Sequence, residues 1–291
     1  MLLGLLPAFA SAGGLKIALV LSEQGGAYQE YGTALAAHLS ANGATLVVTD
    51  ADKPLPEVDL VVAAGMKASM HVAAATPAAM LVVLVPKEGV AKLGSEFPEL
   101  VKPGKSRLSA IYLDQPVNRQ LDLIAAVLPR ARSIGMLYSA QPRELGRLRT
   151  AAAERNYEMN ERISTSFPTM NSALQSLLLS SDVLLAIPDA EIYNASTIRN
   201  ILLTTYRNKV PLVGFSPGYV KAGALCAVYS TPQQIAEQSA HMIKAFADVH
   251  ALPAAQYAKQ FEVSINEQVA RSLGLNIKSA AEVSLEIGAV P

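Results

Sequence analysis

The groups in this sequence that could handle protons, metals or nucleophilic chemistry are four histidines, one cysteine and 24 acidic side chains. Their spacing assembles no catalytic constellation. His38, His71, His241 and His250 fall on helical stretches or a helix end, with no H-E-x-x-H pair and no Cys–His spacing for a metal. Cys226 sits in the apolar run Leu225-Cys226-Ala227-Val228 and reads as a small buried hydrophobe. A G-x-S-x-G elbow, a G-x-G-x-x-G turn and a phosphate-binding P-loop are all missing. The expectation is a protein that is not an enzyme and uses no metal or cofactor.

Binding chemistry is better represented, at the ends of short apolar runs. Ser22, Glu23 and Gln24 precede Gly25-Gly26, where backbone amides can face a carboxylate. Met66 and Lys67 follow Gly65, and Lys67 is a candidate to neutralise a ligand acid or a solvated first-turn lysine. Ser139 and Gln141 precede Pro142 as hydrogen-bonding candidates or plain turn residues, and Ser216 is of the same kind. Asp189 is singled out first: a carboxylate at the carboxyl end of a strand can pair with a ligand ammonium, or cap the next helix. Tyr112 and Tyr138 either stack on a ligand or pack within the core.

These residues need a scaffold that brings strand ends together, and the pattern supplies one. Runs rich in β-formers alternate with amphipathic helical stretches, the signature of βαβ units and parallel sheet. Strands are expected at 16–21, 44–49, 58–64, 80–85 and 108–113, with helices at 28–42, closed by Gly43, and 67–75, and a Pro/Gly-containing loop before the fifth strand. A second cycle has strands at 133–138, 157–164, 183–187 and 211–215, with helices at 118–128, 144–156, 171–180 and 196–208. Strand 225–229 is expected to return the chain to the first lobe, followed by a long helix at 232–249 and a last crossing strand at 261–265. The fold expected is α/β: two doubly wound, Rossmann-like lobes joined by a multi-strand hinge near Asp114, Ser230 and the segment before Phe261. The first lobe takes 13–113 plus about 226–258, the second 114–225 plus about 259–291. In such sheets ligands bind outside the carboxyl ends of the strands.

The chain has 291 residues, 51% of them hydrophobic and 16% charged, enough apolar side chain for two cores. Lys+Arg and Asp+Glu are each 24, a balance that argues against a nucleic-acid or anionic-membrane footprint. Residues 1–9 are apolar, and Ala10-Ser11-Ala12 offers an A-x-A cleavage site, so 1–12 read as a signal peptide, although no Lys or Arg precedes the run. Export to the periplasm is expected.

From Ser109 through Ile277 the sequence resembles the periplasmic substrate-binding components of uncharacterised ABC transporters, whose better-known members bind aromatic or other amino acids. The resemblance is carried by ordered blocks. They are residues 112–138 with Leu128-Pro129 and Ile134-Gly135-Met136-Leu137-Tyr138, then Ala186-Ile187-Pro188-Asp189 and Pro211-Leu212-Val213-Gly214-Phe215. Val220-Lys221-Ala222-Gly223-Ala224-Leu225 and Phe261-Glu262-Val263-Ser264-Ile265-Asn266 follow. The resemblance implies a type I periplasmic binding protein that captures a small molecule between its lobes, places an acid at Asp189, and delivers to a membrane permease as a monomer. A sensor that reports to a membrane receptor has the same fold. The first lobe departs from the family pattern at Gly65-Met66-Lys67-Ala68 and at Lys102-Pro103-Gly104-Lys105, where a ligand would be held.

Overall fold

The computed structural model describes residues 14–40, 44–102 and 104–288; the expected signal peptide and Gly43 lie outside them. The first sheet is built from β1 (Lys16–Leu21), β2 (Thr45–Asp50), β3 (Leu60–Ala64), β4 (Met80–Val85), β5 (Leu108–Tyr112) and β11 (Gln256–Tyr257), in the order β11-β5-β4-β3-β1-β2. All its pairings are parallel. The second comprises β6 (Ser133–Tyr138), β7 (Glu158–Ile163), β8 (Val183–Leu185), β9 (Leu212–Gly214), β10 (Cys226–Tyr229) and β12 (Glu262–Ile265), in the order β12-β10-β9-β8-β6-β7. Here β12 runs antiparallel to β10. Both sheets therefore have the 2-1-3-4-5 winding, with a switch point beside the first strand of each.

Continuous apolar runs make these strands what they are. Leu60–Ala64 and Met80–Val85 are buried at every position, as strands covered on both faces must be. Alternate side chains feed opposite cores: Leu19, Leu60 and Leu81 face α1 (Gly26–Ser40) and α9 (Pro232–Val249), while Val20, Val61 and Val82 face α2 (Met66–Ala74) and α3 (Lys87–Glu96). The second sheet is covered likewise by α4 (Val117–Val127) and α5 (Leu145–Glu154) on one face, and by α6 (Phe167–Leu178) and α7 (Ile198–Arg207) on the other. Burying a Leu or Val side chain contributes about 1.5–3 kcal/mol, so four such layers dominate the stability. The α9 helix begins with a capping box, Thr231 with Gln234, and packs on α1, where the buried Tyr31 hydroxyl donates to Ser239 Oγ at 2.9 Å.

One strand corrects the sequence expectation. Cys226–Tyr229 stays in the second sheet, where Cys226 and Ala227 pair with Val213 and Gly214 of β9, instead of returning to the first. The return happens at Ser230 and Thr231, directly ahead of α9. The reason is local: a four-residue run buried at Cys226, Ala227 and Val228 has its apolar partners in β9, β12 and α4. Among the described residues the chain thus crosses between sheets three times, at residues 113–116, 230–231 and 258–261. Side chains stitch these crossings together. Gln115 Nε2 donates to Ser230 Oγ at 3.0 Å, and Ser230 Oγ donates to the Gln260 carbonyl at 2.6 Å. Arg119 donates to Gln115 Oε1 and to the Ala258 carbonyl, and its guanidinium lies 3.9 Å from the Phe261 ring centroid.

Two helices are absent from the sequence reading, and the first of them matters for the site. The stretch 87–96 was expected to be loop and is α3; α8 (Pro217–Ala222) follows β9. Among the described residues no helix is long and apolar enough to cross a membrane.

Candidate ligand cleft between the lobes

The carboxyl ends of the two sheets face each other across a cavity of about 810 Å³. It is reached by the segments following β3, β4 and β5 in the first lobe and those following β6 and β8 in the second. All lie at the carboxyl ends of strands, where a doubly wound sheet holds its ligands. Most of the wall is apolar, including Met66, Met136, Leu148 and Ile187, with a few convergent polar groups.

The segment after β4 is aimed by its backbone. Leu84 adopts φ 55, and the β4–β5 register shifts between Val83 and Val85, so a bulge turns the chain before Pro86. Pro86 then opens α3, and the Lys87 backbone N–H donates to Asp114 Oδ1 at 2.7 Å. Gly89 is needed for this approach: a Cβ there would lie 2.8 Å from Val85 Cγ1 and 3.3 Å from Met66 Sδ.

Lys87 carries its ammonium into a box of phenol rings and carboxylate. Its Nζ lies 5.5 Å from the Tyr112 ring centroid, 5.1 Å from that of Tyr257 and 3.0 Å from Glu144 Oε1. The two rings meet edge to face at 5.1 Å. Behind them lies Asp114, whose hydrogen-bond donors are two backbone N–H groups, that of Lys87 and its own. Burial pushes its carboxyl above the usual carboxylate range, against the lowering effect of those N–H donors and of the Lys87 charge. The Tyr257 hydroxyl is pushed up as well, by burial and then by Asp114 and Glu144.

Asp189 lines the opposite wall, and its oxygens are already engaged. Oδ2 accepts from the Ser139 backbone N–H at 2.6 Å and from Ser139 Oγ at 2.9 Å; Oδ1 accepts from Ser139 Oγ, Glu191 N and Ile192 N. A carboxylate offers about four acceptor positions, so this one is close to saturated by its own lobe. Its clear structural effect is to hold the loop after β8 against the loop after β6.

Of the residues singled out from sequence, Met66, Ser139, Gln141 and Asp189 line the cavity together. Ser22, Glu23, Gln24, Lys67 and Ser216 are not among its lining residues. Ser22 Oγ accepts from the Ala68 N–H, Gln24 donates to Asp50, Lys67 pairs with Asp52 at 2.9 Å, and Ser216 precedes α8. Glu23 is exposed on its loop. Tyr138 is buried and donates to Glu161, away from the cavity, whereas Tyr112 packs against Tyr257 beside Lys87. The sequence places Pro86-Lys87 among the ligand-facing loops at the strand ends without a role for Lys87 itself, gives no sign of Glu144 or Tyr257, and marks Asp114 only as a hinge position. The signal for Lys87 was its position one residue past a strand-ending proline. Cys226 is buried, and burial pushes its thiol up to about 12. Among the described residues no group of three or more His, Cys, Asp or Glu side chains is placed to hold a metal.

Known proteins share this architecture. A substrate-binding protein with adhesive properties from Clostridium difficile, solved in a ligand-free, open form, aligns over 91% of this chain and 96% of its own, with TM-score 0.72 and 20% identity. A domain from Streptococcus pneumonia solved in complex with L-Trp aligns over 96% and 100%, with TM-score 0.68 and 19% identity. In sequence, a tyrosine-binding protein of Clostridioides difficile (strain R20291) is 28% identical over 130 residues, 43% of this chain. That match spans 37% of the relative's length. Residues 41–286 match the model of the family described as ABC transporter substrate binding protein, and the chain belongs to that family.

Proposed function

We propose that the chain is the solute-binding component of an ABC uptake system, capturing an amino acid between its lobes by hinge closure and leaving it chemically unchanged. One observation carries the reading: a mostly apolar cavity of about 810 Å³ opens between the carboxyl ends of two similarly wound sheets joined by three crossings. A side chain would lie against Met66, Met136, Leu148 and Ile187. The ammonium would be taken by Asp114, whose half-buried carboxylate lines the cavity wall and accepts from the Lys87 N–H, leaving acceptor positions for a ligand ammonium beside the Lys87 charge. Asp189 and Ser139 shape the facing wall.

Closure follows from differential affinity: a ligand that contacts both lobes binds the closed form better and shifts the population toward it. The closed form is what a membrane permease would recognise. Export to the periplasm, supported by the apolar N-terminal run and its A-x-A site, would place a monomer where such a permease presents its docking face.

The test is a thermal-shift screen against the twenty amino acids, organic acids, sugars and nucleosides. A ligand at 100 times its Kd adds about 2.7 kcal/mol of stability. The expected result is a saturable rise in Tm with one or a few amino acids, lost in Asp114→Asn. A rise with another class alone would overturn the amino-acid reading and retain solute binding; no rise with any class would overturn both.

A further inference from the structure

Along one flank of the cleft the lobes already touch, through side chains of opposite sign. Lys87 and Glu88 open α3 in the first lobe, and Arg143 and Glu144 stand just before α5 in the second. Lys87 Nζ meets Glu144 Oε1 at 3.0 Å. Arg143 donates through Nε to Glu88 Oε1 at 3.1 Å and through its backbone N–H to Glu88 Oε2 at 3.2 Å. Each lobe thus contributes one base and one acid, and each finds its opposite across the gap.

The surroundings tune the two pairs differently. Lys87 and Glu144 are each 27% exposed, and a third contact joins them, since the Tyr257 hydroxyl reaches Glu144 Oε2 at 3.5 Å and accepts from Lys87 Nζ at 3.4 Å. Asp114 faces the same ammonium from the crossing, and Arg147 adds a second cation to Glu144 at 3.7 Å within its own lobe. The Glu88–Arg143 pair is 54% and 61% exposed and lies open to salt. None of this is left to flexible side chains alone: the Leu84 bulge, Pro86 and the Asp114 bond to the Lys87 N–H fix where α3 starts.

We propose that the Lys87–Glu144 and Glu88–Arg143 pairs form an electrostatic latch that sets the resting opening of the cleft, holding the lobes together along this flank before any solute arrives. The two pairs shift the ratio of latched to open molecules on the order of tenfold, which corresponds to about 1.4 kcal/mol. High salt releases the exposed pair first and the half-buried pair incompletely. The latch stands apart from the solute-binding reading, because the lobe separation it controls is measured with no solute present.

Small-angle X-ray scattering of the full chain at 20 mM and 1 M NaCl tests it. The wild type is expected to expand at high salt. Glu144→Gln and Glu88→Gln are expected to show the larger radius of gyration already at 20 mM, with a reduced response to salt. The charge-reversed double variant Glu88→Arg/Arg143→Glu is expected to restore the compact low-salt value. Circular dichroism confirms that each variant is folded, and should Glu144→Gln fail to fold, Arg143→Gln, at an exposed position, replaces it. A radius of gyration that is unchanged or smaller in the folded variants, or a wild type indifferent to salt, overturns the latch.

Discussion

Asp114 is a residue with two demands on it. It lies within the first crossing and accepts the N–H that starts α3, yet burial raises its carboxyl above the usual carboxylate range. A carboxyl whose pKa is higher in the folded than in the unfolded chain contributes fully at pH below its unfolded value, and the contribution is lost as pH rises through the folded value. The neutral isostere Asp114→Asn keeps an oxygen for the Lys87 N–H and escapes that loss. Its Tm relative to wild type is therefore expected to climb as pH rises from the ordinary carboxylate range toward neutrality. Thermal melts of the two proteins across this range decide it, and a flat difference would show that the buried charge costs nothing. The same substitution should abolish the response to an amino acid, so the position trades stability for binding. Asp189 should behave in the opposite way: Asp189→Ala removes the acceptor for Ser139, Glu191 and Ile192 and is expected to lose about 1–3 kcal/mol in urea unfolding.

At the level of elements, the entry to α2 shows how tightly the first lobe is packed at its strand ends. Gly65 has φ 88, and a Cβ there would stand 2.5 Å from Ser22 Oγ and 2.6 Å from the Tyr28 ring. Gly65→Ala is expected to destabilise the protein by about 2–3 kcal/mol in urea unfolding, with Ser22→Ala, which removes one hydrogen bond to the Ala68 N–H, costing nearer 1 kcal/mol. The strands themselves were legible because runs such as Leu60–Ala64 and Met80–Val85 are apolar throughout and bounded by turn residues, which only a doubly covered parallel sheet requires. The α3 helix was not. Gly89 and Gly94 interrupt its pattern, although Val90, Leu93 and Phe97 keep helical spacing, and Gly89 is there because Val85 and Met66 leave no room for a Cβ. Without that helix, Pro86-Lys87 reads as a bare strand-end loop and Glu88 has no place beside it. Lys67 looked equivalent in sequence, but the first turn of α2 directs it to Asp52, and no one-dimensional signal says which of two lysines after a strand turns toward the other lobe. The two-residue β11 strand was invisible for a simpler reason: Gln256–Tyr257 is too short to show a period.

The whole molecule depends on how three crossings act as one. Arg119 and Gln115 link them: Arg119 bonds Gln115 in the first crossing and the Ala258 and Lys259 carbonyls in the third, and stacks on Phe261, while Gln115 reaches Ser230 in the second. Its guanidinium is half-buried and its donors are fixed in a plane, an arrangement a flexible ammonium cannot copy. Each lobe has cores on both faces of its own sheet, so nothing in the packing within a lobe obliges the two to unfold together; the stitched crossings do. Arg119→Met retains the apolar stem against Phe261 and removes every hydrogen bond. The expected outcome in scanning calorimetry is a loss of about 2–3 kcal/mol and a single endotherm that broadens or separates into two, as the lobes lose their coupling. A single sharp endotherm merely shifted to lower temperature would mean instead that the lobes are coupled through the Lys87–Glu144 flank, and Glu144→Gln in the Arg119→Met background would then be the variant that separates them.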